Sequence, residues 1–137
     1  VCGGTASQIV SSHTGEQLTV TLNYENSGIP PAADIKGIDL VTEGVLTIGK
    51  TLDMLKRFPY MDRSEKVIAL SKKDAASRLV RILLEESTEV RFLVGRAINP
   101  AHQNPEMPIS LGLKLNLIKE MKAELEKIGK IVNIEYF

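Results

Sequence analysis

The chain has 137 residues, 43% of them hydrophobic and 25% charged, which is the composition of a globular domain large enough to bury a core. Its 17 basic and 17 acidic residues cancel, so no global field draws nucleic acid or an anionic membrane, and aromatics are only 4% with no Trp, which argues against a base-stacking platform. A lone cysteine excludes an internal disulfide and fits a reducing cytoplasm, and no apolar run reaches membrane-spanning length.

The opening stretch, Val1-Cys2-Gly3-Gly4-Thr5-Ala6-Ser7-Gln8, organises the rest. It reads as the end of a strand, a glycine turn and a helix start, with Thr5 and Gln8 at capping-box spacing and Gly15 as the C-cap. Such a turn aims free N–H groups and the positive end of the helix dipole at whatever lies above it, commonly a phosphate or carboxylate. A plain strand-to-helix turn without a ligand explains the same residues. Because Val1-Cys2 is too short to pair well alone, the reading expects residues missing upstream.

Gln17 to Leu22 alternates and reads as a strand, and Asn23 to Ala33, with its Pro30-Pro31 pair, reads as a loop. After a short segment at Asp34 to Ile38, Asp39 is expected to cap a helix over about Leu40 to Arg57. Gly44 and Gly49 inside that helix suggest close packing or a ligand. Phe58 to Leu70 reads as a charged surface connection, and Ser71 with Asp74 starts a helix running to about Glu86. Thr88 to Val94 is a strand ending in Gly95-Arg96. The loop from Ala97 to Pro108, with three prolines, is the most distinctive polar stretch. The longest helix, about Ser110 to Ile128, is closed by Gly129, and Ile131 to Phe137 is a final strand.

Strands alternating with helices predict a single α/β domain, a three-layer sandwich with a mostly parallel sheet of about four strands and helices on both faces. Ligands of such sheets bind beyond the carboxyl ends of the strands, where the Gly3-Gly4-Thr5 turn, the Asn23 to Ala33 loop and the Gly95 to Pro108 loop should converge. The candidate ligand-binding residues are Gly3, Gly4, Thr5 and Ser7 on the turn, Asp39 and Glu43 one helical turn apart, and Arg96, Asn99, His102, Gln103 and Asn104 on the polar loop. Arg96 is the natural anion partner, while Asp39 and Glu43 suit a metal or a ribose. Each set also has a structural explanation: capping by Asp39, solvation of Glu43, and a loop tied down by its own side chains. Cys2 beside a helix N-terminus is either a low-pKa nucleophile or a small buried hydrophobe, and His13 suits a helix C-terminus. Lys119, Lys122, Glu124 and Lys127 read as a solvated face, and no Cys/His metal spacing or Gly-x-Ser-x-Gly elbow occurs.

Three blocks, Val1 to Thr5, Gly37 to Thr47 and Gly95 to Pro105, form a set that resembles the C-terminal region of bacterial serine phosphatases of the stage II sporulation protein E family. The resemblance covers nearly the whole chain. It implies an accessory, regulatory domain whose partner is an upstream phosphatase domain, where Mn or Mg would be held by Asp-Gly motifs. This sequence has no Asp-Gly pair, so no metal, cofactor or catalytic residue is carried over onto it. The expected ligand is a small anionic molecule or a phosphorylated protein, with neither nucleic acid nor membrane as partner. Two alternatives stand beside it: a small phosphotransfer or hydrolytic enzyme using Asp39, Glu43 or His102, and a homodimerisation module using the glycine-bearing helix.

Overall fold

A computed structural model describes residues 1–21, 32–42, 44–95 and 111–137. In chain order these form β1 (Cys2–Gly3), α1 (Gly4–Thr14), β2 (Thr19–Thr21), β3 (Ala32–Ile35), β4 (Ile38–Thr42) and α2 (Gly44–Arg57). A 3₁₀ turn (Phe58–Tyr60), α3 (Arg63–Ser71), α4 (Ala75–Arg81) with a π turn (Ile82–Glu86), β5 (Glu89–Val94), α5 (Leu111–Lys127) and β6 (Ile131–Tyr136) follow. The fold is α/β, as the alternation predicts.

The expected sheet is not the observed one. Six strands divide into a four-stranded sheet, ordered β1-β4-β3-β2, and a separate parallel pair, β5-β6. Within the larger sheet only β1 and β4 run parallel; β4-β3 and β3-β2 are antiparallel. The reason is local. Between Ile35 and Ile38 the chain reverses in two residues, with Gly37 at φ 88°, and a two-residue turn can only join antiparallel strands. Asp39, expected to cap a helix, lies instead on β4, and residues 32–42 form a hairpin. The three-layer, mostly parallel architecture gives way to a mixed one.

Leu40 and Val41 are consecutive on β4 and therefore face opposite sides of the sheet. Leu40 enters the main core with Leu52 and Leu55 of α2, Leu79 and Val80 of α4, Met121 and Leu125 of α5, and Val132 of β6. Val41 joins Ala33 and Ile35 in a smaller cluster backed by Cys2, Leu18 and Ile38. The main core thus touches both sheets and three helices.

The stretch expected to be an irregular surface connection contains α3. Asp62 and Glu65 form its capping box, the Asp62 carboxylate accepting from the Glu65 N–H (2.8 Å) and Glu65 accepting from the Asp62 N–H (2.9 Å). α4 starts later than the Ser71-x-x-Asp74 signal suggests: Ser71 ends α3 and Asp74 is itself the cap of α4, accepting from the Ser77 N–H (3.0 Å) and hydroxyl (2.8 Å). Gly15 and Gly129 end α1 and α5 in left-handed conformations, as expected.

Candidate functional site

β1 and β4 lie side by side and parallel, with Gly3 level with Thr42. Each is followed by a helix, α1 from Gly4 and α2 from Gly44, so two helix N-termini open at the same end of the sheet. Neither helix carries an acidic residue in its first turn, and the N-cap of α1, Gly3, has no side chain to satisfy the free N–H groups. The positive ends of both dipoles are left uncompensated there by first-turn carboxylates.

The glycines at this turn are not demanded by backbone strain. Gly3 is extended (φ −86°, ψ 169°), and Gly4 has no positive φ. A Cβ on Gly3, Gly4 or Gly44 would meet no described atom within 4 Å. Among the described residues, no side chain therefore crowds the Cβ positions of these glycines. Gly44 alone is conformationally required, at φ 44°.

The other expected site residues separate. Thr5 does not cap α1, because the helix starts two residues earlier, with Gly3 as cap; Thr5 is exposed on the first turn. Ser7 is buried, and its hydroxyl donates back to the Gly4 carbonyl at 2.6 Å, so it faces the helix rather than a ligand. Asp39 lies on β4, not at a helix start. At a strand rise of about 3.3 Å per residue it is about 10 Å from the Thr42 end, and its carbonyl accepts from Arg78 Nη2 at 3.1 Å. Helical spacing to Glu43 therefore does not exist. Glu43, Arg96, Asn99, His102, Gln103 and Asn104 lie outside the described residues. The expected convergence of three loops assumed one sheet, whereas Gly95 follows a strand of the other sheet.

Burial raises the pKa of the Cys2 thiol, which removes the reason to read it as an activated nucleophile. His13 sits in the last turn of α1 and is exposed, as a C-terminal surface residue should be. Among the described residues no group of three His, Cys, Asp or Glu side chains is placed to hold a metal. The face of α5 read as merely solvated does more: Lys122 Nζ donates to Glu126 and to the Val132 carbonyl of β6, and Lys127 pairs with Glu124 at 2.7 Å.

A shallow groove of about 110 Å³ was not foreseen in the sequence. Leu55, Phe58, Pro59, Tyr60, Leu84 and Ile128 make its apolar walls, with Lys56, Glu124 and Lys127 also lining it. Lys66 lies over the Phe58 ring at 5.3 Å. The one sequence signal was Phe58-Pro59-Tyr60, a proline between two aromatic residues just past the end of α2, where the chain makes a 3₁₀ turn.

No described helix is long and apolar enough to cross a membrane. Comparison of the chain with protein-family models, with characterised proteins and with solved structures finds no match.

Proposed function

We propose that this chain is a non-catalytic accessory domain that binds a small phosphate-bearing anion where α1 and α2 begin, and that it serves a serine phosphatase of the stage II sporulation protein E type. The observation that carries the binding reading is the pair of adjacent helix N-termini, each opened by glycine, with no first-turn carboxylate and no described atom within 4 Å of an added Cβ. A dianion there would be offered the free backbone N–H groups of both first turns. The phosphatase connection is supported by the three sequence blocks alone.

The experiment is a thermal-shift titration of the chain and of Gly4→Val with inorganic phosphate, nucleotides and sugar phosphates. Gly4 has neither a positive φ nor a described neighbour within 4 Å of its Cβ position, so the variant should fold, which circular dichroism checks. A ligand at 100 times its dissociation constant adds about 2.7 kcal/mol. A compound that raises the melting temperature of the parent chain but not of Gly4→Val supports the reading. If no compound shifts the parent chain, or both proteins shift alike, the turn is structural only.

A further inference from the structure

β5 and β6 form a parallel sheet of only two strands. Parallel sheets ordinarily have several strands and both faces covered, and two-stranded sheets are marginal by themselves. Here Glu89, Arg91 and Leu93 share one face with their register partners Ile131, Asn133 and Glu135. That face is open to solvent, with Leu93 64% and Ile131 63% exposed.

The hydrogen bonds show which backbone groups look outward. The Ile131 N–H donates to the Thr88 carbonyl (3.2 Å) and the Phe137 N–H to the Val94 carbonyl (3.1 Å). Backbone groups alternate along a strand, so the even-numbered residues of β5 turn N–H and C=O toward β6. Glu89, Arg91 and Leu93 turn theirs to the outer edge, where no described residue pairs with them. The outer edge of β6 is protected differently: its Val132 carbonyl is taken by Lys122, a charged side chain blunting an edge. On the β5 side the protection begins only past the strand, at the Gly95 carbonyl, which accepts from Lys114 Nζ at 3.2 Å.

We propose that two copies of this chain join through the outer edge of β5, running antiparallel, with Glu89 of each opposite Arg91 of the other. The result is one four-stranded sheet, β6-β5-β5-β6. The outward residues have five symmetric ways to face each other, centred on residues 89 to 93. Those centred on 89 or 93 set Glu89 against Glu89 or leave Leu93 against Leu93 with Glu89 outside the pairing. With Arg91 opposite Arg91, like charges meet across the strands. With Arg91 opposite Leu93, Glu89 falls opposite Gly95, whose outward carbonyl already has Lys114. Only the register with Glu89 opposite Arg91 sets opposite charges against each other twice. It also brings Val90 against Val90 on the inner face, a favourable β-branched pair. Arg91 can make the contact without giving up its own strand neighbour, since Nε pairs with Glu135 at 3.3 Å and the two Nη groups remain as donors.

The test is sedimentation equilibrium from micromolar to millimolar concentration on the whole chain, on Arg91→Glu, on the swap Glu89→Arg with Arg91→Glu, and on Glu89→Pro. Circular dichroism verifies that each variant folds. The parent chain should dimerise reversibly. Arg91→Glu should weaken association by about tenfold or more, and the swap should restore it, because the two cross-strand pairs are re-formed with reversed sign. Glu89→Pro removes an outward N–H and no bond to β6, so it should leave a folded monomer. A parent chain that is monomeric throughout, as it would be were the edge taken by another segment of the same chain, overturns the proposal. So does a dimer indifferent to Arg91→Glu or to Glu89→Pro.

Discussion

At Gly44 and Gly49, five residues apart on α2, an added methyl group has opposite consequences. Gly44 takes φ 44°, a region an L-residue enters only at a cost of about 1–2 kcal/mol, so Gly44→Ala should destabilise by about that amount. Gly49 has an ordinary helical φ and no described atom within 4 Å of a built Cβ, so Gly49→Ala should stabilise by about 0.5–1 kcal/mol. Urea unfolding of both variants checks the pair. Equal losses at both positions would mean that Gly49 is held by a close neighbour after all. Cys2 provides the second test at this scale. Burial lifts its thiol pKa, so less thiolate is present at any given pH in the folded chain than in the unfolded one. The pH profile of alkylation should have its midpoint higher for the native protein than for the chain in urea, and a lower native midpoint would restore the nucleophile reading.

Among the elements, the junction after α5 ties three of them together. Gly129 ends the helix in a Schellman arrangement, its N–H donating to the Glu126 carbonyl (3.0 Å) and the Lys130 N–H to the Leu125 carbonyl (3.1 Å). This throws the Lys130 side chain across to the end of the π turn, where Nζ donates to the Leu84 carbonyl at 2.8 Å and to that of Ser87. Lys130→Met keeps the stem but leaves those carbonyls without their cation, and should cost about 1–2 kcal/mol; Lys130→Arg should recover part of it. A Met variant as stable as the parent chain would show that water replaces the ammonium fully. Elements of this kind were unevenly legible. Strands β5 and β6, helices α1, α4 and α5 and the two glycine caps follow from periodicity and cap chemistry. The α3 helix had its signal, Asp62-x-x-Glu65, hidden by a charged surrounding sequence with little apolar period. Asp39 misled because a good N-cap residue is also tolerated on an exposed strand position, and only the Lys36-Gly37 turn before it says which. The site was legible to the extent that it is local: glycines before a helix start can be read in the chain. That the partner of the Gly3-Gly4 turn is the start of α2 depends on strand order, which no local pattern encodes.

For the whole molecule, the decisive fact is that both sheets are held by one core. Leu125, fully buried on α5, lies in the same cluster as Leu40 of β4 and Val132 of β6. Truncation of a buried leucine costs about 2–5 kcal/mol, a large part of the stability of a domain this size. If the core is shared in energy as it is in space, Leu125→Ala should lower the protection of amides in β4 and in β6 by equal free energies, and unfolding should stay a single transition. Native-state hydrogen exchange read at Val41 and at Asn133, whose N–H faces β5, decides this. Val41 is the sharper probe, because its side chain faces the other cluster and its amide can respond only through the sheet. A loss confined to Asn133 would divide the molecule into a four-stranded unit and a β5-α5-β6 unit. The paired helix starts after β1 and β4 would then be insulated from the β5 edge. An equal loss would mean that anything stabilising the start of α1 and α2 also stabilises the strand edge through which two copies are proposed to join, since both draw on the same buried leucines.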